Sequence, residues 1–283
     1  MTRLLNEPPD VVVPIGFGAP CEDGHICALA RIAGVPCAGP TPASGSIMQD
    51  KSALSKVVDS IFALGCRVRS PRGCTVKAPV ESAAVQDQLS KLTPPFVVKP
   101  AFSGSSEGLL IAVSPEEAVA AATTLLPVEG KVLIQELEKD IRCEISCTVL
   151  DISDGAHFLP IVELRRDDVL VLGIEQKFGV EGLNRHIIPA RLDSHLAARV
   201  SDVVMKIHSA VGCIGLTRTD ILVRNDGELI ILELNGIPGL LESSIACDAA
   251  RAAGISFDEL ALKYAQSAFI TRAEPQIWGA FDA

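Results

Sequence analysis

What this chain has little of is basic charge: 25 Lys and Arg stand against 35 Asp and Glu, a formal net charge of -10 and a pI near 5.0. Nucleic acid as the main partner is excluded on that balance, because phosphate backbones are held by clustered Lys and Arg. Any phosphate bound here must be met locally, by a metal, single lysines and backbone N–H groups. The nine cysteines lack CxxC spacing and are odd in number, which suits reduced, buried thiols better than disulfides or zinc; none is read as functional. No apolar run approaches the length of a membrane span, and the start, Met-Thr-Arg-Leu-Leu-Asn-Glu-Pro-Pro, has no apolar signal region. A cytoplasmic location, with no membrane partner, is the expectation. There is no internal repeat or low-complexity tract. What remains is 283 residues, 48% apolar, enough for two or three lobes of an α/β enzyme.

The patterning alternates strands and helices at first. Asp10 to Ile15 reads as a buried strand, Glu22 to Ala33 as a helix stopped by Gly34, and Val35 to Ala38 as a returning strand, half of a doubly wound unit. A helix from Ser46 to Leu64 leads to a strand at Cys66 to Arg69. Helix Glu81 to Lys91 precedes strand Phe96 to Lys99, and from there the chain turns mostly to β. Strand Gly108 to Val113 is followed by a capping box, Ser114-Pro-Glu-Glu117, opening a helix through Leu126. Strands Lys131 to Leu137, Cys143 to Leu150 and Pro160 to Leu164 come next. Glu175 to Ile188 is polar and unpatterned, the signature of a lid or binding loop. Helix Asp193 to Val211, a hairpin, and helices Ser243 to Ala253 and Ser256 to Gln266 complete the chain.

The hairpin carries the chemistry. Leu216 to Arg224 and Glu228 to Asn235 flank Asp226-Gly227, the pair that a two-residue type I′ turn requires. With Asn225 facing Glu228, Asp220 comes opposite Glu233 and Arg218 opposite Asn235, all on one face. Two carboxylates in direct opposition repel unless a cation lies between them, and Asp, Glu and an Asn carbonyl are hard oxygen ligands suited to Mg²⁺, with Arg218 free to meet an anion. The alternative is a solvated hairpin face on which Arg218 is simply the ion-pair partner of both acids. Lys99 adds a second signal. It ends an apolar strand before Pro100-Ala-Phe-Ser-Gly-Ser-Ser-Glu-Gly108, small residues whose backbone can approach phosphate oxygens, although an ordinary flexible connection has the same composition.

Taken together the chain resembles the ATP-grasp superfamily, specifically the D-alanine:D-alanine ligases. The matching stretches, in the family's order, are Glu22-Asp-Gly24, Gly34-Val-Pro36, Met48-Gln-Asp-Lys51, Phe96-Val-Val-Lys-Pro100, Gly104-Ser-Ser-Glu-Gly108, Gly212-Cys-Ile-Gly-Leu-Thr-Arg-Thr-Asp220, Leu232-Glu-Leu-Asn-Gly-Ile-Pro-Gly239 and Gly254-Ile-Ser-Phe257. The resemblance implies an α/β (α+β) ATP-grasp fold, two β-sheet lobes enclosing ATP behind a truncated N-terminal subdomain, with boundaries at 1–50, 51–142 and 143–283. It implies ATP and two Mg²⁺ ions, with Mn²⁺ as a substitute. Lys51 and Lys99 would lie on the phosphates, Lys177 would reach the γ-phosphate, and Gln135, Glu136 and Glu138 fall where adenine is held. Ser105 and Ser106 match the loop that covers the phosphates and orders the first substrate. Asp220, Glu233 and Asn235 match the metal ligands, and Arg218 the arginine that stabilises the oxyanion. Glu22, Phe178, Gly239 and Ser244 fall around the substrates.

The implied reaction is attack of a carboxylate on the γ-phosphate, then opening of the acyl phosphate by an amine. Small amino acids or related carboxylates are the implied substrates, and a homodimer is the expected assembly. The departures are as informative. The family's opening Gly-Gly-x-Ser-x-Glu unit has no match here, Phe17 or a neighbour stands where a His is usual, and Phe178 replaces a lid tyrosine. Arg142 falls where a ribose-binding acid is expected, with Glu144 two residues on as a substitute on the same strand face. The nucleotide residues are kept while the substrate residues differ, which points to a different first substrate. Ligases for another acceptor, a hydroxy acid or an intramolecular amine, and a nucleotide-binding homologue without ligase activity remain open.

Overall fold

The computed structural model describes residues 6–62, 66–104, 108–164 and 186–270. The opening strand expected at Asp10 to Ile15 contracts to one parallel bridge, Val12 to Cys37. Val12 donates to the Pro36 carbonyl at 2.8 Å and accepts from Ala38 at 2.9 Å. The next bonds of a parallel ladder would need N–H groups from Pro14 and Pro36, which proline lacks, so the pairing stops in both directions. Helix α1 (His25–Ile32) follows, starting at Gly24 with φ +87° rather than at Glu22.

The single helix expected from Ser46 to Leu64 is two, α2 (Pro42–Gln49) and α3 (Lys51–Ile61). Asp50 between them is extended, and its carboxylate accepts from the Ser52 and Ala53 backbone at 3.0 and 3.3 Å. An aspartate offered the free N–H groups of a helix start prefers capping to helix continuation. The break puts Lys51 at the first position of α3, its N–H bonded to the Ala101 carbonyl at 3.1 Å.

The smaller sheet orders β2 (Gly73–Lys77), β5 (Lys131–Glu136), β3 (Phe96–Pro100) and β4 (Leu110–Ala112), all antiparallel. Helices α4 (Ser82–Leu89) and α5 (Pro115–Glu129) cover one face, burying Leu89, Leu126, Phe96, Val98, Val132 and Ile134. Half of the capping box forms as expected, Glu117 N–H donating to Ser114 Oγ at 3.2 Å, while the Glu117 carboxylate accepts from the N–H of Val113, one residue before the cap, at 2.9 Å.

The larger sheet runs β1 (Val68–Arg69), β11 (Leu229–Asn235), β10 (Gly215–Arg224), β6 (Ile141–Ile152), β8 (Val162–Leu164), β9 (His186–Ile187), with β7 (Gly155–Phe158) also on β6. Only β1 and β11 are parallel among these pairs. On one face Ile145, Cys147, Ile221, Val223, Leu229 and Ile231 pack with Leu54 and Val58 of α3 and with Val200, Val204 and Ile207 of α6 (Ser194–Val211). Helix α3, counted with the central lobe in the sequence reading, therefore packs on the larger sheet. On the opposite face, α7 (Ile245–Ala252) and α8 (Phe257–Gln266) cover Leu150 and Leu216 at one end. The middle of that face, on β6, β10 and β11, carries the polar residues of the site.

The hairpin differs from expectation at two points that cancel. Gly227 N–H donates to the Arg224 carbonyl and Arg224 N–H to the Glu228 carbonyl, both at 2.9 Å, and among the turn residues only Gly227 has positive φ, +82°. The connection is thus a three-residue loop, Asn225 to Gly227, of the kind with one left-handed residue at its end, not a type I′ turn. Near the loop the register is one residue off, Leu222 opposite Ile230. A β-bulge between Asp220 and Ile221 leaves Leu232 as the extra residue and restores Asp220 to Glu233 and Arg218 to Asn235. The bulge also reverses the alternation. Ile231 and Leu234 both join the core, so Glu233 and Asn235 are turned to the polar face, as bulges beside active sites do.

Candidate active site

Strands β6, β10 and β11 present Glu144, Ser146 and Thr148; Leu222, Asp220 and Arg218; Glu233 and Asn235, matched row by row by their pairing. At the centre Arg218 holds Asp220 with two bonds, Nε to Oδ1 at 2.9 Å and Nη2 to Oδ2 at 2.8 Å, and reaches Glu233 Oε1 at 3.2 Å. Ser146 Oγ donates to the other side of Asp220 Oδ1. Asp220 is only 3% exposed, so this is not a solvated hairpin face, although Arg218 does pair with both acids as that alternative required. Burial alone would push Arg218 toward losing its proton; Asp220, Glu233 and Glu22 outweigh it and hold the guanidinium above its ordinary range.

Lys51 bridges the two sheets. Its Nζ donates to the Ser103 carbonyl in the loop after β3 and lies 3.8 Å from Glu233 Oε2. Glu22 arrives from the N-terminal segment, accepting from Gly18 N–H at 2.5 Å and from the Asn235 side chain. Burial, assisted by Glu233, raises its pKa above the usual carboxylate value. The loop holding Glu22 is fixed by close packing, since a Cβ on Gly45 of α2 would lie 2.7 Å from Gly24 N and 2.8 Å from the Asp23 carbonyl carbon. Asn235 Oδ1 accepts from Ile237 N–H at 2.8 Å, which leaves its second lone pair available.

Around this centre the other candidates fall unevenly. Lys99 is half-buried on β3. Gln135 is buried on β5 opposite Gly73. Glu136 and Glu138 are engaged by the protein: Glu136 accepts from Thr93 N–H at 2.7 Å, and Glu138 is gripped by both Arg69 Nη atoms at 2.7 and 2.9 Å. Glu144 is 4% exposed on the site face, but Arg142 does not share that face. A second bulge, between Val223 and Arg224, passes over Arg142, which donates instead to the Arg191 carbonyl at 3.1 Å.

Ser244 caps α7, accepting from Cys247 N–H at 3.5 Å. Gly239 lies beside it: a Cβ there would be 3.8 Å from the Ser244 Cβ and 3.7 Å from the ring of Phe17, which is 66% exposed. Ser105, Ser106, Lys177 and Phe178 lie outside the described residues.

Three contributors escaped the sequence reading. Ser146 and Thr148 could have been found by carrying the period-two face across to β6. Thr148 Oγ is fully buried opposite Arg218 with no hydrogen-bond partner among the described residues. Lys131 had no signal; its Nζ pairs with Asp50 and lies 4.9 Å from the centre of the Phe102 ring. Burial opposes ionisation of Asp50, but Lys131 and Ser52 outweigh it and hold that carboxyl below its usual range.

A cation has a physical rationale here. Among the described residues no three His, Cys, Asp or Glu side chains form a metal cluster, but Mg²⁺ is commonly held by one or two carboxylates and completed by phosphate oxygens and water. Asp220, Glu233 and the Asn235 amide are such a set, and the position of Arg218 shows that the space between the acids attracts positive charge.

The family model described as "D-ala D-ala ligase C-terminus" matches residues 75–264. The D-alanine–D-alanine ligase of Fervidobacterium nodosum is 32% identical over 260 residues, covering 89% of this chain and 79% of that protein. That of Gloeobacter violaceus is 31% identical over 258 residues, covering 91% and 82%. Among solved structures, the VanG D-Ala:D-Ser ligase from Enterococcus faecalis superposes with a TM-score of 0.75 at 27% identity, covering 90% of this chain and 73% of that one. The Bacillus anthracis D-alanine–D-alanine ligase complexed with ATP gives 0.75 at 22% identity, covering 94% and 81%. On the two sheets, the paired acids on the larger one and these likenesses, the chain belongs to the D-alanine–D-alanine ligase family and has the ATP-grasp fold.

Proposed function

We propose that this protein is an ATP-dependent ligase that joins the carboxylate of one small amino acid to the amine of a second through an acyl phosphate. The observation that carries the reading is the buried Arg218–Asp220–Glu233 cluster, set on the larger sheet within reach of Lys51 from the segment leading to the smaller one. Asp220, Glu233 and Asn235 would hold Mg²⁺, which supplies charge neutralisation at the transferring phosphoryl group. Lys51 and Lys99 are suited to phosphate oxygens. Arg218, kept protonated by its neighbours, is a fixed cation for the oxygen that becomes negative when the amine attacks the acyl carbon. Ser146 fixes one Asp220 oxygen, so the carboxylate does not reorient as charge shifts.

Phe17 favours a substrate difference within this reading. An exposed aromatic ring beside Gly239 and Ser244 offers van der Waals contact and no charge to an amino acid, so an acceptor with a larger apolar side chain suits it better than alanine. The ligase reading includes a homodimer, for which size-exclusion with light scattering is the check. The deciding experiment incubates the protein with ATP, Mg²⁺ and pairs from a panel of D-amino acids, L-amino acids and hydroxy acids. Phosphate release with a product of matching mass supports ligation; no release with any pair overturns it.

A further inference from the structure

Three thiols, none of them used by the reaction above, meet where the N-terminal segment packs on α8. Cys27 lies on α1 and is 2% exposed; Cys37, half-buried, follows the Gly34 turn. Their sulfurs are 3.0 Å apart, and both lie 3.5 Å from the Ala38 carbonyl oxygen. Both are free thiols. A disulfide bond is about 2.05 Å long, so closing it asks each sulfur to move by about half an ångström. Cys21, also half-buried, is near enough to act electrostatically on Cys37. Tyr264, whose hydroxyl donates to the Pro14 carbonyl at 3.4 Å, closes the cluster from α8.

We infer that Cys27 and Cys37 are a reversible dithiol–disulfide site, entered through Cys37 by a low-molecular-weight disulfide such as oxidised glutathione. In the first step Cys37 gives its proton to water and attacks the external disulfide as the thiolate, forming a mixed disulfide and releasing one thiolate, which takes up a proton. In the second, the Cys27 thiolate attacks the Cys37 sulfur, forming the Cys27–Cys37 bond and expelling the second thiol. Two protein thiols are oxidised and one external disulfide is reduced to two thiols. The surroundings favour the resolving step. The hydrogen bond from Cys37 lowers the Cys27 pKa, outweighing burial, and Arg31 one turn along α1 acts the same way; Cys27 also lies in the first turn of its helix, where the backbone dipole favours a thiolate. Cys37 is shifted the other way by the same bond and by burial, so the first attack, which needs its thiolate, is the slow step and quickens as pH rises.

The test equilibrates the whole chain in glutathione buffers of increasing oxidised fraction, blocks remaining thiols by alkylation and digests with trypsin. Trypsin cuts after Arg31, so the bond would join fragments 4–31 and 32–51, a pair that separates on reduction. Cys21 shares the first fragment, and C21S is expected to retain the link. Because the bond closes the eleven residues from 27 to 37, the oxidised protein should unfold about 5 °C higher. C27S should show no such rise and should accumulate glutathione on Cys37; C37S serves as a second variant that forms no link. A fragment pair lost in C21S, wild-type protein that stops at the glutathione adduct, or two thiols alkylated fully in oxidising buffer would each overturn the inference.

Discussion

Replacing Arg218 with Met keeps most of the side-chain volume and removes the cation from between two opposed acids. Asp220 is 3% exposed and would keep only the Ser146 hydroxyl. Breaking a buried pair from one side leaves an uncompensated charge and costs about 3 to 5 kcal/mol. With the Arg218 side chain 17% and that of Glu233 21% exposed, the lower end applies, so about 3 kcal/mol is expected at neutral pH. Mg²⁺ should recover part of the loss by taking the place of the guanidinium between the acids, and R218M combined with D220N should recover most of it. Urea unfolding followed by far-ultraviolet circular dichroism is the assay, because the single tryptophan, Trp278, lies outside the described residues. A variant within about 1 kcal/mol of wild type at neutral pH, with no response to Mg²⁺, would refute the idea that the acids are organised around positive charge.

Glu233→Gln should abolish ATP turnover while leaving the circular dichroism spectrum unchanged, since it removes charge from the metal set on a residue that is not part of the core; near-normal phosphate release would remove Glu233 from the site. Glu22→Gln tests the raised pKa of that acid. A raised folded-state value favours the folded protein below the unfolded pKa and is lost as pH rises through the folded pKa, so the variant should be more stable than wild type at neutral pH and lose that advantage in acid, as read from unfolding midpoints at several pH values. Gly45→Ala forces a Cβ against the backbone of residues 23 and 24 and should cost about 1 to 3 kcal/mol, with a raised KM for the amino-acid substrate measured by phosphate release. An unchanged KM in a folded G45A protein would mean that the loop carrying Glu22 does not shape the site.

Much of this architecture could be read from the sequence, because the strongest signals are local. The capping residues Ser114, Asp193 and Ser256 start helices where expected, and the apolar period of β3, β5, β6, β10 and α6 reappears as the cores. Short or interrupted elements were not legible. β2, with a two-in-five buried pattern from Gly73 to Lys77, and β7, four residues on an edge, are too brief for periodicity to register. Bulges defeated counting, since nothing in Leu232 or Arg142 announces an extra residue. The rows of the hairpin were assigned correctly only because a wrong turn and an unseen bulge offset each other. Side-chain partners such as Arg69 for Glu138 join residues far apart in the chain, and spacing does not reveal them.

The order of strands in the larger sheet carries a consequence for how the chain assembles. β1 is made early, yet its partner β11 comes about 160 residues later, and α2 and α3 wait for the same strand and for α6 to cover their apolar faces. The four strands of the smaller sheet, by contrast, all lie between residues 73 and 136. During synthesis the smaller sheet can therefore close as soon as β5 has emerged, while the segment before it remains without its final contacts until the hairpin that bears Arg218, Asp220 and Glu233 is complete. Because contacts between distant parts of a chain form slowly, the last step of folding is the one that builds the catalytic face, and a chain arrested before residue 229 would hold a finished small lobe and no active site.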